Sequence, residues 1–240
     1  MSKPRRALLI TGGAQRVGKA VSLYFAAQGY DVALHYRRSQ AEAEKTAGEI
    51  RALGAACALL QADLADPTQY ADLVARAYHH FPALSVLVNN ASVFDAGRFM
   101  ESDAALYEQE FRINTQAPIF LTQAFAKYVG RGAVVNMLDT KIVHHRHSHF
   151  FYLLSKKTLA QFTKMAAMEL APHVRVNAVC PGFLLPGGGW GDDYQQRLEP
   201  NLPLQKIATL DEVAKAVYSL CDNSSLTGQC IFVDGGEHLL

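Results

Sequence analysis

No run of apolar residues in this sequence approaches the roughly 20 that span a bilayer. The N-terminal MSKPRR has the basic character of a signal n-region, but the apolar run after it is only about five residues, below the 7 to 15 of an h-region. Charge of one sign is also scarce: Lys and Arg number 23 against 22 Asp and Glu, a net charge of +1, so there is no broad basic field to recruit nucleic acid or an anionic membrane. The 4 cysteines, Cys57, Cys180, Cys221 and Cys230, form no C-x-x-C pair and lie in or beside apolar runs. They read as buried thiols of a reducing compartment, which disfavours a disulfide scaffold or thiolate metal site and favours the cytoplasm. Linkers, internal repeats and low-complexity tracts are missing too. With 240 residues, 50% of them hydrophobic, the chain 1–240 is expected to form one α/β domain with a sizeable core.

The chemistry that is present gathers at the ends of apolar runs. Ala133 to Leu138 reads as a buried strand, and Tyr152 to Leu170 has the apolar spacing of a long helix. Asp139 lies at the strand's end, while Tyr152 and Lys156 stand at i and i+4 on one helix face, with Cβ atoms about 6 Å apart. A phenol is a proton donor at neutral pH, and a nearby ammonium stabilises the phenolate left behind. Lowering a phenol pKa by about 3 units takes roughly 4 kcal/mol, within reach of one partly desolvated cation. By itself the pair reads better as a half-buried ring beside a solvated amine, because Tyr and Lys are common helix residues.

A second feature lies near the N-terminus. Arg6 to Ile10 reads as a strand, Thr11 to Gly18 spells T-G-G-A-Q-R-V-G, and Lys19 to Gln28 reads as a helix. Strand, glycine turn and helix N-terminus suit a dinucleotide pyrophosphate, because Gly12 and Gly13 let the backbone approach it and free helix N–H groups face it. The spacing is not G-x-G-x-x-G, and Arg16 stands where a glycine is expected. The second strand, Asp31 to His35, runs into Tyr36-Arg37-Arg38-Ser39 with no acidic residue to hold a ribose 2′-hydroxyl. Arg16, Arg37, Arg38 and Ser39 fit a dianionic 2′-phosphate instead, which points to NADPH. Apolar patterning predicts further strands over 55–61, 84–88, 174–179 and 229–233. Helices are predicted over 39–53, 68–80, 102–130 with a bend or break at Pro118, and 211–221. The Gly- and Pro-rich segment 183–203 reads as a substrate lid.

Thr11-Gly12, Asp63-Leu64, Asn89-Asn90-Ala91, Asn114, Tyr152-x-x-x-Lys156, Pro181-Gly182 and Asp234-Gly235-Gly236 follow one another in an order that resembles the short-chain dehydrogenases/reductases. The resemblance covers nearly the whole chain. It implies a Rossmann-like three-layer α/β/α sandwich with one parallel sheet, and commonly a homotetramer. It also implies a cofactor held by Gly12, Val17, Gly18, His35, Tyr36, Asp63, Leu64, Asn90, Ala91, Ser92, Pro181 and Gly182, with Tyr152 and Lys156 at the nicotinamide ribose.

One departure sharpens the comparison. Most members carry Ser about 13 residues before the Tyr, where this chain has Asp139. An ionised carboxylate cannot donate a hydrogen bond to a ketone oxygen, so a substrate rich in N–H donors is the better match. Arg16, His35 to Ser39, Asn90-Ala91-Ser92-x-Phe94 and Asp139 together resemble the pteridine reductase branch, which includes dihydrofolate and dihydromonapterin reductases. The resemblance implies reduction of a dihydropterin or dihydrofolate substrate held by Ser92, Phe94, Asp139 and Tyr152. Tyr152 would be proton donor, Lys156 the cation lowering its pKa, Asp139 orienter and relay partner, and Asn114 the holder of a relay water. Asp139 beside Tyr152 would raise the phenol pKa, which suits an acid that stays protonated, with Lys156 offsetting part of it. Phe94 reads equally as a loop ring capping the core, and the resemblance tips it toward stacking on the substrate. Ser148 is too close to Tyr152 to replace the missing Ser. The histidines at 144, 145, 147 and 149 crowd one loop rather than converging from fixed elements, so they are read as solvent-facing or substrate-touching and no metal is expected. A reductase of ketones or 3-oxoacyl thioesters, disfavoured by Asp139, and a non-catalytic NADPH-binding sensor, disfavoured by the intact Asn114, Tyr152 and Lys156, are the rival readings.

Overall fold

Ala7–Ile10 is apolar and fully buried at every position, the pattern of a strand covered on both faces. This strand, β1, is followed by β2 (Asp31–Tyr36), β3 (Cys57–Gln61), β4 (Leu84–Asn89), β5 (Gly132–Met137), β6 (Val174–Pro181) and β7 (Cys230–Val233). The computed structural model describes residues 5–184 and 193–240, which form one seven-stranded sheet in the order β3-β2-β1-β4-β5-β6-β7 with every pairing parallel. The helices are α1 (Arg16–Ala27), α2 (Gln40–Ala52), α3 (Gln69–His80), α4 (Ala104–Phe111), α5 (Ala117–Tyr128), α6 (Phe150–Glu169), α7 (Tyr194–Leu198) and α8 (Leu210–Asp222).

Side chains alternate along β1 between two cores. Leu8 and Ile10 pack with Val21 and Phe25 of α1 and Val213 and Val217 of α8. Ala7 and Leu9 pack on the other face with Leu73 of α3 and Leu121 and Phe125 of α5. Helices on both faces of a parallel sheet make the expected three-layer sandwich. Strand order reverses between β1 and β4, so the loops leaving their carboxyl ends part and open a crevice where open α/β sheets bind ligands.

Beyond shifts of one or two residues at strand and helix ends, three differences from the sequence reading bear on the site. Helix α1 begins at Arg16 rather than Lys19, which puts Arg16 and Val17 in its first turn. Helix α6 begins at Phe150, ahead of Tyr152. The long helix expected over 102–130 is α4 and α5 joined by a π-helical turn, Arg112–Gln116. Pro118, in the first turn of α5, has no N–H to return to the carbonyl of Asn114, and the chain accommodates this by widening there without breaking.

Candidate active site

The floor of the crevice is the glycine turn. Gly12 holds φ +62, and a Cβ on Gly18 would lie 2.1 Å from the Gly12 carbonyl oxygen, so neither position admits another residue without movement. Arg16, standing where the family pattern has glycine, keeps a left-handed φ of 50 that costs a residue with a Cβ about 1–2 kcal/mol. The turn is tied to β4. Thr11 Oγ1 accepts the N–H groups of Asn90 (2.9 Å) and Ala91 (3.0 Å), and the Asn90 side chain donates to the carbonyls of Thr11 (2.9 Å) and Gly12 (3.0 Å).

His35 buttresses the turn from below. Its Nδ1 accepts the Gly12 N–H at 3.1 Å, which leaves the ring proton on Nε2, 3.1 Å from the Ala62 carbonyl. Burial is the main cause that pushes its pKa down to about 4, so the ring is neutral at physiological pH. His35 lines the crevice, and both its nitrogens are committed to backbone.

Asp139 projects from the end of β5. Its Oδ1 accepts the Lys141 N–H at 2.7 Å, capping a 3₁₀ turn over Thr140–Val143, and its Oδ2 accepts the Tyr152 hydroxyl at 2.8 Å. Lys156 donates to the Met137 carbonyl at 2.9 Å, and its Nζ stands 5.7 Å from the centre of the Tyr152 ring. The Tyr152 pKa moves in the direction expected of Asp139 and not in the one that Lys156 alone would give. Burial first, then the charge and hydrogen bond of Asp139, then the charge of Glu110 hold the phenol well above its ordinary value. Burial draws Lys156 down to about 8 against the opposing charges of Asp139 and Glu110.

Asn114 lies fully buried behind the wall of the crevice, not on its surface. Its Oδ1 accepts Ser92 Oγ (2.9 Å) and the Val93 N–H (2.9 Å), and its Nδ2 approaches the Val93 carbonyl (3.0 Å), Glu110 Oε2 (2.5 Å) and Ser155 Oγ (3.2 Å). The Phe94 ring is stacked on His149 (centroids 4.2 Å apart, planes at 9°) and meets Tyr152 edge-on at 4.6 Å. It stays 38% exposed, a ring on the site's surface rather than a core plug.

The other residues assigned from the sequence to catalysis, cofactor or substrate line one cleft of about 910 Å³, near the upper end of the size range for ligand sites. The exception is Gly13, which backs onto Ile10, Leu34 and Ser22 in the core; Thr11, Asn89 and Asp234-Gly235-Gly236 do not line the cleft either. Gly12, Val17, Gly18, Asn90 and Ala91 form its floor, Tyr36, Arg37, Arg38, Ser39, Asp63 and Leu64 one end, and Ser92, Phe94, Asp139, Tyr152, Lys156, Pro181 and Gly182 the other. Arg37 faces Asp63 at 3.8 Å, and no carboxylate stands between the end of β2 and Ser39. The cleft is therefore cationic at one end and carries an acid–phenol pair at the other. Of the expected lid, Phe183, Leu184 and Tyr194 reach the cleft, whereas residues 185–192, Trp190 among them, lie outside the described residues. Lys141, Arg146 and Glu237 also line it without having been anticipated, and Glu237 arrives through an ion pair with Lys141. Its only sequence signal is its place directly after Asp234-Gly235-Gly236.

The family model described as enoyl-(acyl carrier protein) reductase matches residues 12–238. Pteridine reductase 1 of Leishmania tarentolae is 32% identical over 276 residues, covering 96% of this chain and 96% of its own. A 3-oxoacyl-acyl-carrier-protein reductase of Staphylococcus aureus is 27% identical over 245 residues, covering 99% of this chain and 100% of its own. Among solved structures, FolM alternative dihydrofolate reductase 1 from Brucella suis, in complex with NADP, is 36% identical and superposes with a TM-score of 0.94, covering 98% of this chain and 96% of that one.

Proposed function

Because the chain belongs to the short-chain dehydrogenase/reductase family, we propose that it is an NADPH-dependent reductase that converts dihydropterins or dihydrofolate to their tetrahydro forms. The observation that carries this reading is the Asp139 carboxylate hydrogen-bonded to Tyr152 at 2.8 Å, where the common family pattern has a neutral hydroxyl. A carboxylate accepts and does not donate, so it suits a ring bearing N–H groups rather than a bare ketone. The names of the relatives support the substrate class, and the NADP in the FolM structure supports the cofactor.

The left-handed glycine turn and the arginines beyond β2 fit that cofactor: Gly12, Val17 and Gly18 take the pyrophosphate, Arg16, Arg37, Arg38 and Ser39 the 2′-phosphate, and Tyr152 and Lys156 the nicotinamide ribose. NADPH held there supplies the hydride. Phe94 and Ser92 hold the bicyclic ring, Asp139 accepts its N–H, and Tyr152 delivers a proton to the nitrogen beside the reduced carbon. A phenol held above its ordinary pKa stays protonated until that transfer, and Lys156 steadies the phenolate afterwards. Asn114 belongs to the resupply of the proton. In this reading the protein is a cytoplasmic homotetramer. Its free cysteines and the exposed apolar side chains Tyr107, Leu154, Met165 and Met168 on α4 and α6 support that.

The test is NADPH oxidation by purified protein with dihydrobiopterin, dihydrofolate and acetoacetyl thioester in parallel, repeated with Tyr152→Phe. Turnover of a dihydropterin or dihydrofolate, lost in the variant, is the expected result. Turnover of the thioester alone moves the chain to the carbonyl reductases.

A further inference from the structure

Glu110 is a carboxylic acid with no exposed surface, on α4 one helical turn before Asn114. Burying such a group is costly, and this one does not line the cleft. Its Oε1 accepts the backbone N–H of Asp95 at 2.9 Å and its Oε2 accepts the Asn114 side chain at 2.5 Å. Asn114 in turn holds both backbone groups of Val93. The peptide units on either side of Phe94 are thereby fixed to one stretch of helix, with Gln109 adding a bond to the Asp95 carboxylate at 2.7 Å.

We propose that Glu110 is a substrate-positioning residue that, through Asn114 and the Asp95 amide, holds the loop 92–95 so that the Phe94 ring faces the bicyclic substrate. This rests on the function proposed above. The clamp requires the ionised carboxylate. Both groups that Glu110 meets are donors, and turning the Asn114 amide over would set its N–H against the Val93 N–H and its oxygen against the Val93 carbonyl. A proton on Glu110 therefore finds no acceptor among these partners, and one bond breaks. The titratable groups that act on Glu110 are Asp95 on the loop and Lys156 on α6, and Tyr152 on α6 feels its charge. Burial is the first cause that raises its pKa to about 7, so the clamp loosens as pH falls below neutrality.

The test has two arms, both on the full chain. In the free protein, the Glu110 carboxyl carbon and the Asp95 and Val93 amides are followed by NMR across the pH range. All three should titrate with one midpoint, and an Asp95 amide indifferent to Glu110 overturns the clamp. In kinetics, Glu110→Gln sets an amide N–H against one of the two donors. It should raise KM for dihydrobiopterin about fivefold, beyond any change in kcat that follows from removing the charge near Tyr152 and Lys156, and abolish the wild-type rise of KM on acidification. An unchanged KM, or a loss confined to kcat, overturns the positioning role. A wild type that is silent toward every dihydropterin and dihydrofolate sinks the proposed function instead, while the amide titration still decides whether Glu110 holds the loop.

Discussion

The hydroxyl of Tyr152 is hydrogen-bonded to the carboxylate of Asp139 at 2.8 Å, and the two carboxylates that act on this phenol, those of Asp139 and Glu110, both raise its pKa. A site arranged this way keeps its acid protonated rather than priming it as a base. Replacing Asp139 with Ser removes the charge and leaves a hydroxyl. Dihydropterin turnover should fall about 100-fold, the range of a lost acid–base partner. The Tyr152 pKa should fall as well, moving the alkaline limb of the rate profile to lower pH. Full turnover in the variant would remove Asp139 from the reaction.

Acidification should weaken the fold through His35. Its folded pKa of about 4 lies below the reference 6.5, so the unfolded chain binds the extra proton between those values. The contribution is fully present above pH 6.5 and is lost as pH falls through 4. It amounts to about 3 kcal/mol at most. Glu110 has the opposite sign: its folded pKa is raised, so its contribution is present at low pH and lost as pH rises through about 7. Urea unfolding of the wild type and His35→Gln at two pH values separates them. Gln can accept from Gly12 and donate to Ala62, and the variant should lose less stability than the wild type between neutral and acid pH. An equal loss in both would show that His35 is not the acid-sensitive element.

Two glycines on helices should respond oppositely to alanine. At Gly18 a Cβ would meet the Gly12 oxygen at 2.1 Å and Asn90 Nδ2 at 2.7 Å, so the turn must open. Gly18→Ala should cost about 1–3 kcal/mol, as overpacking does, and weaken NADPH binding. At Gly48, inside α2, nothing lies within 4 Å, and Gly48→Ala should stabilise by about 0.5–1 kcal/mol with NADPH affinity unchanged. Melting temperature and cofactor titration read both.

Most of the fold and the cleft floor was legible because it rests on local patterns. The continuous apolar run of β1 and the mostly apolar stretches of β4 and β5 mark buried parallel strands, and a glycine turn between strand and helix marks a phosphate site. What escaped depends on packing. Glu110 lies in Y-E-Q-E-F, where it looks like any solvated helix acid until α4 is laid beneath the loop after β4. Asn114 was found by its place in a motif, yet its position behind the wall follows from the π-helical turn, which only the packing against Pro118 and α6 makes visible. The upward direction of the Tyr152 pKa was legible from Asp139, but the leading part played by burial and the added charge of Glu110 were not, because neither is written in local spacing.

Arg16 gives the most discriminating prediction, because strain and charge can be separated there. The residue holds φ 50, which glycine adopts freely and other residues resist. If the arginine is retained for a 2′-phosphate, Arg16→Ala and Arg16→Gly should both lose about 10- to 100-fold in NADPH affinity, the range of a lost hydrogen bond to a charged group, with NADH binding unchanged. The two variants should nevertheless differ in stability. Alanine keeps the left-handed strain and glycine releases it, so Arg16→Gly should be the more stable by about 1 kcal/mol in urea unfolding without cofactor, even after glycine's greater unfolded-state entropy is counted. Equal losses for NADPH and NADH would place Arg16 on the pyrophosphate rather than the 2′-phosphate. A glycine variant no more stable than the alanine variant would mean that the turn relaxes around the larger residue.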